Sequence, residues 1–198
     1  MGMLHRKKKE VSLPTKSQVE TERKRYRRQK AYNKALRGTV YVLTIVAAVA
    51  VLIATLILPV LQIEGTSMEP ALSNGDIVLL MKTTRFERGD LCAFTWNNKL
   101  LVKRVVGLPG DWIEIDTDGT VYLNGDKLDE PYVQQMALGE CDIEFPYQVT
   151  ENNYFLMGDH RATSIDSRSS VIGGIAEDQI IGKIVCKIWP LSEFEWMY

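Results

Sequence analysis

The longest unbroken pattern in the chain is apolar. Between Arg37 and Glu64 no residue is charged, and residues 39–61 consist mostly of Val, Leu, Ile and Ala. At about 1.5 Å per residue, such a helix covers a hydrocarbon core of about 30 Å with some tilt. The apolar positions favour no face, as expected where lipid surrounds a helix. Pro59 sits near the far end, where it ends a span at low cost. A cleaved signal peptide would carry an apolar stretch of about 7–15 residues behind a short basic head. This run is longer and follows 37 residues. It is read as an uncleaved transmembrane anchor.

Beyond the anchor the pattern becomes that of short strands. Apolar or alternating segments at 76–81, 91–96, 99–106, 112–115, 120–123, 154–157 and 180–189 are separated by turn residues. Asn97-Asn98 joins two of them, because asparagine tolerates positive φ. Asp116-Thr117-Asp118-Gly119 joins another pair, Asn124-Gly125 turns again, and Pro190 stops the last strand. Residues 126–152 are polar and irregular, with Pro131 and Pro146, and read as an insertion loop. The pattern predicts a mainly β domain, compact and folded-sheet or barrel-like, over residues 62–198.

Charge adds a third segment. The net charge of −1 hides a split: residues 1–37 hold 13 Lys/Arg and 3 Asp/Glu, and the rest of the chain holds 11 and 22. The basic arm, taken as residues 1–38, is expected to be disordered or a marginal helix on anionic headgroups. A polyanion such as nucleic acid is the other partner such a charge could meet. The adjoining apolar run favours the lipid bilayer, and no nucleic-acid partner is expected. By the positive-inside rule the arm is cytoplasmic and residues 62–198 lie outside a plasma membrane crossed once. Cys92, Cys141 and Cys186 have no CxxC spacing, and His5 and His160 are the only histidines. No metal site and no other cofactor is expected. A Cys141–Cys186 bridge is possible by count, but the three thiols read better as small hydrophobes.

Three stretches could carry chemistry. Ser67 lies in Gly65-Thr66-Ser67-Met68-Glu69-Pro70, just past the anchor. It is either a turn residue or a nucleophile held near a membrane surface. A nucleophile needs a base. His160 is the one histidine beyond the anchor. Lys103 is the other candidate, since alternation puts it between Leu101 and Val105 on one strand face. An amine desolvated there would lose much of its usual pKa of about 10.4. The competing reading is an edge-strand lysine in water. Lys187, flanked by Val185 and Trp189 on its face, is the other lysine in apolar company. The third stretch is residues 158–168, rich in hydrogen-bonding groups. Asp166 and Arg168 can pair there, and Ser164 can orient an amine. The alternative is a polar surface loop with an exposed ion pair of about 0–1 kcal/mol.

Taken together, Ser67-Met68-Glu69-Pro70, Lys103-Arg104-Val105-Val106-Gly107-Leu108-Pro109-Gly110-Asp111 and Gly158-Asp159-His160-Arg161 with Ser164-Ile165-Asp166-Ser167-Arg168 resemble the successive motif boxes of bacterial type I signal peptidases, in order and after an anchor. The short chain and single span resemble the Gram-positive type. The resemblance implies a β fold and a Ser/Lys serine endopeptidase. It would cleave signal peptides from secretory preproteins after small residues (Ala-x-Ala) through an acyl-enzyme. It implies Ser67 as nucleophile and Lys103 as general base. Ser164, Asp166 and Arg168 would support them, and Gly65, Thr66, Ser67 and Met68 would form the oxyanion and substrate wall. Three positions depart from the family pattern. Gly65 stands where some members carry a serine that helps the oxyanion hole, Ala71 follows the proline where threonine is usual, and His160 replaces an asparagine. A self-cleaving repressor-type Ser/Lys protease shares the chemistry but would have a DNA-binding domain in place of residues 39–61. An anchored binding or scaffold module, with Ser67 as a mere turn, is the reading from another class.

Overall fold

The computed structural model describes residues 14–57 and 59–197. The chain divides into two compact units, residues 1–53 and 54–198. The described part of the first is helical from Lys16. A single helix α1 runs Lys16–Ile57, and its Lys16–Leu52 part is long and apolar enough to cross a membrane. Residues 14–37 of the basic arm, expected to be disordered or marginally helical, are therefore helical from Lys16 on. The reason lies in propensity: Gln, Lys, Arg, Ala and Leu dominate from Lys16 to Leu36, with no Gly or Pro before Gly38. The first cluster of the arm, Arg6 to Lys9, lies outside the described residues.

The second unit is β-rich. Its strands are β1 (Val60–Gln62), β2 (Ile77–Met81), β3 (Leu91–Trp96), β4 (Lys99–Gly107), β5 (Trp112–Ile115), β6 (Val121–Leu123), β7 (Asp126–Lys127), β8 (Tyr147–Gln148), β9 (Asn153–Met157), β10 (Ile175–Ala176), β11 (Ile180–Trp189) and β12 (Glu195–Trp196). The larger sheet has the order β1-β2-β11-β3-β4-β9-β10, with β12 also on β11. The smaller sheet has the order β7-β6-β5-β8. Pairing between neighbours is antiparallel. The mainly β expectation thus holds, as two sheets rather than one folded sheet.

Val60 and Leu61, expected in the span, belong to β1 and pair with Leu79 and Val78. Pro59 explains the change, since its ring denies the helix an N–H and clashes with the preceding turn. The β3–β4 hairpin forms across Asn97 and Asn98, at φ 47° and 60°. The segment 126–152 is not wholly irregular: β7 and β8 sit at its two ends and join the smaller sheet.

Three apolar clusters hold the unit together. Val106, Phe155 and Met157 of the larger sheet meet Ile113, Val121 and Leu123 of the smaller one. Phe94, Cys92 and Val105 pack with Leu156 and Ile180. Leu72, Met68 and Ile63 cover Val78, Leu80 and Ile184. The last cluster matters for the site, because burial of Ile63, Met68 and Leu72 fixes the Ser67 turn from both sides. All three cysteines are free, with Cys92 and Cys186 buried and Cys141 half-buried.

Candidate active site

The turn carrying Ser67 is built from local hydrogen bonds. Glu69 N–H donates to the Thr66 carbonyl (3.1 Å) and Leu72 N–H to that of Met68 (2.9 Å). Gly65 takes φ 90°, a left-handed value that suits glycine. Its N–H donates to Asn74 Oδ1 (2.9 Å), so it is not free for an oxyanion. The Ser67 carbonyl accepts the His160 N–H (3.1 Å), which ties this turn to the 158–168 loop. Ser67 is half-buried, Met68 buried and Thr66 exposed.

Lys103 approaches from β4. Its Nζ lies 2.7 Å from Ser67 Oγ. Leu101 and Val105, two residues before and after it, pack with the cluster around Phe94, as the alternation predicted. Lys103 is 3 % exposed, which excludes a lysine in open water. Burial pushes its pKa down to about 8; the charges of Asp166 and Asp159 pull the other way, and that of Arg168 adds to the lowering. What separates Lys103 from the other buried cations is its company. Arg161 pairs with Glu130, Arg168 with Asp166, and Lys187 with Asp76 (3.5 Å) and Glu193 (3.1 Å). Among the described residues no carboxylate lies within ion-pair distance of Lys103. Lys187, the other lysine in apolar company, is held charged. Burial alone would lower its pKa, but the Glu193 hydrogen bond and the Asp76 and Glu193 charges raise it overall.

The 158–168 loop is no surface loop. Asp166 and Arg168 are 0 % exposed. Arg168 Nε and Nη2 grip Asp166 at 2.8 Å each, and the guanidinium also donates to the carbonyls of Leu138 (2.6 Å), Arg161 (3.0 Å), Ala137 (3.4 Å) and Ser164 (3.4 Å). Asp166 Oδ2 accepts the Gly158 N–H (2.9 Å). Ser164 Oγ is buried with no hydrogen-bond partner among the described residues. Gly158 threads between these parts. A Cβ there would lie 2.2 Å from Ser164 Oγ and 2.6 Å from the Ser67 carbonyl oxygen. The site therefore brings Ser67 and Lys103 into contact and packs Ser164, Asp166 and Arg168 behind them. Gly65 and Thr66 sit at its exposed rim.

Several members were not singled out in the sequence. Arg104 forms a two-point contact with Asp159 (2.8 and 2.6 Å) and lies over the Tyr132 ring at 4.1 Å. Tyr132 O–H donates to Glu130, which holds Arg161. Glu130 and Tyr132 come from the 126–152 segment, so that segment is stapled to the site through buried charge. Asp159 is the one carboxyl here with a raised pKa, through burial, against which the Arg104 contact works.

A cleft of about 540 Å³ opens beside Ser67, lined by residues 61–65 and 99–103 as well as Ser67 and Met68. Its walls are two strand edges. β1 pairs with β2 alone, and residues 99–103 of β4 pair with β3 on one side and with no described strand on the other.

A family model described as "Signal peptidase, peptidase S26" matches residues 36–189, most of the chain. The chain belongs to this family. Among its relatives, signal peptidase I S of Bacillus subtilis (strain 168) is 34 % identical over 163 residues, covering 76 % of this chain and 88 % of that protein. Signal peptidase IB of Staphylococcus aureus (strain MRSA252) is 37 % identical over 156 residues, covering 69 % and 80 %. A crystal structure of a signal peptidase I from Enterococcus faecalis V583 is 30 % identical, with TM-score 0.42, covering 50 % of this chain and 96 % of that one. The family read from the three motif stretches is thus the one the comparisons return. A hydroxyl in contact with a buried amine of lowered pKa is chemically able to act as a nucleophile beside a base.

Proposed function

We propose that this protein removes signal peptides from secreted preproteins, with Ser67 as nucleophile and Lys103 as general base. The observation that carries the residue roles is the 2.7 Å separation of Ser67 Oγ and a buried Lys103 Nζ that no carboxylate among the described residues pairs. Neutral Lys103 takes the Ser67 hydroxyl proton as Oγ attacks the scissile carbonyl carbon. The carbonyl oxygen becomes an oxyanion facing the Ser67 N–H, which no acceptor among the described residues takes. The Lys103 ammonium returns the proton to the departing amine, and the mature chain leaves. The acyl bond on Ser67 is then cut by water, which gives a proton to Lys103; the ammonium passes it to the departing Ser67 Oγ, restoring the hydroxyl and the neutral amine. The same amine serves both halves of the cycle.

The cleft beside Ser67 supports an extended substrate. Residues before the cut would lie between β1 and the open edge of β4 and pair with main chain on both sides. Cutting after small residues (Ala-x-Ala) follows if the cleft is shallow next to Ser67. The anchor and basic arm support a single-pass plasma-membrane protein with its N-terminus cytoplasmic and residues 62–198 outside.

The test is cleavage of a preprotein ending in Ala-x-Ala by the full chain in detergent, for wild type, Ser67→Ala and Lys103→Met. Wild type should cut and both variants should lose essentially all activity. Retained cleavage in both would sink the assigned roles. Protease protection of residues 62–198 in sealed inside-out vesicles checks the orientation; their degradation from the cytoplasmic side would refute it.

A further inference from the structure

A second cleft, of about 390 Å³, adjoins the Ser67 turn, and nothing in the mechanism above uses it. Glu69 and Pro70, the residues that follow Ser67-Met68, form one wall. Asp159, His160 and Arg161 form another, and Gln134 and Gln135 of the 126–152 segment close it. The hydrogen bond from His160 N–H to the Ser67 carbonyl joins this wall directly to the nucleophile's residue. The two clefts therefore meet at Ser67 and Met68 on one side and Glu69 on the other.

The charges in the second cleft are unevenly satisfied. Asp159 is held by Arg104, and Arg161 by Glu130. The His160 ring is bonded through Nδ1 to Thr163 Oγ1 (2.9 Å), and Nε2 has no partner among the described residues. The Glu69 carboxylate has neither a hydrogen bond nor an ion pair among them. With the other lining charges neutralised in pairs, Glu69 sets the sign of the cleft. The two glutamines and the imidazole add hydrogen-bonding capacity.

We infer that this cleft receives the first residues of the mature chain, on the leaving side of the cut, and that Glu69 selects a basic over an acidic side chain there. The inference rests on the peptidase reading above. A peptide that enters along the strand edges and crosses Ser67 must leave past Glu69 or His160. An extended chain advances about 3.3 Å per residue, so the first three residues after the cut span about 10 Å. Glu69 is half-buried, so its field is partly screened. A basic residue gains attraction, an acidic one meets repulsion, and together these give about a fivefold preference.

The experiment uses a preprotein panel with Lys, Gln or Glu at each of the first three positions after the cut. The full chain in detergent is assayed, and kcat/KM for Lys is divided by that for Glu within each enzyme form. Wild type should favour Lys about fivefold at one or more positions. The ratio should fall to about one in Glu69→Gln and invert in Glu69→Lys. It should also shrink as salt rises toward about 1 M, where the Debye length is about 3 Å. A wild-type ratio near one at all three positions overturns the inference, as does a ratio that Glu69→Lys leaves unchanged. Because each ratio is internal to one variant, a general loss of activity does not mimic either result. Failure to cut any member, the Gln reference included, would instead refute the peptidase reading, and the subsite with it.

Discussion

The pH dependence of cleavage tests the role of Lys103 most directly. Holding its amine at about 8 rather than 10.5 disfavours the charged form by about 3 kcal/mol. The sign follows from the role: a base works when neutral, and an amine is neutral above its pKa. About one tenth of the enzyme is competent at pH 7 and about nine tenths at pH 9, so kcat/KM should rise about tenfold between them and then level off. Initial rates on one preprotein in detergent, from about pH 6 to about pH 10, give the curve. Far-ultraviolet circular dichroism at each pH separates titration from unfolding. An unperturbed lysine would instead give a logarithmic rise that continues past pH 9 without a plateau. That outcome, or a flat profile, would refute the argument that burial prepares Lys103.

Three substitutions probe the packing behind the dyad. Ser164→Ala removes a buried hydroxyl that has no partner among the described residues. An orphaned group of this kind costs about 1–3 kcal/mol, so stability to urea should hold or rise while kcat falls about tenfold if the hydroxyl orients Lys103. Gly158→Ala forces a Cβ within 2.6 Å of the Ser67 carbonyl oxygen, so the backbone must move; the melting temperature and the cleavage rate should both drop, with a loss of about 1–3 kcal/mol by denaturation. Glu130→Gln strips the carboxylate from fully buried Arg161. Leaving that charge unpaired should cost about 3–5 kcal/mol, measured as urea unfolding of the detergent-solubilised chain.

Much of this was legible in the sequence because it has a local signature. The alternation of Leu101, Lys103 and Val105 foretold a lysine among apolar neighbours, and Asn97-Asn98 foretold the hairpin that carries it. The stretch 164–168 is a short-range constellation, so the Asp166–Arg168 pair could be read two residues apart. The Glu130–Arg161 pair could not, because its partners are 31 residues apart and a contact across a loop leaves no period. Val60 and Leu61 were unreadable for another reason: the last apolar turn of a span and a short apolar strand look alike. For the arm, composition left disorder and a marginal helix both open; its residues favour helix without burying anything, and from Lys16 on it is helical.

In the mechanism proposed above, the arrangement of charge is what lets a lysine act as the base. Three arginines surround the site, and each is matched by a carboxylate: Arg104 by Asp159, Arg161 by Glu130, Arg168 by Asp166. Had Asp166 stood alone, its charge would hold the proton on Lys103 and no base would exist near neutral pH. Had Arg168 stood alone, it would push the amine's pKa down further and weaken its pull on the Ser67 proton. Paired, they brace Gly158 and the loop mechanically while nearly cancelling electrostatically. Desolvation is then left as the dominant influence on Lys103, and it outweighs the pull of Asp166 and Asp159, neither of which lies within ion-pair distance of the amine. The buried ion pairs are thus better understood as neutral scaffolding than as stabilising contacts, since burying such pairs gains little net free energy. Their contribution is to hold polar groups rigidly around an amine whose own charge has been made costly.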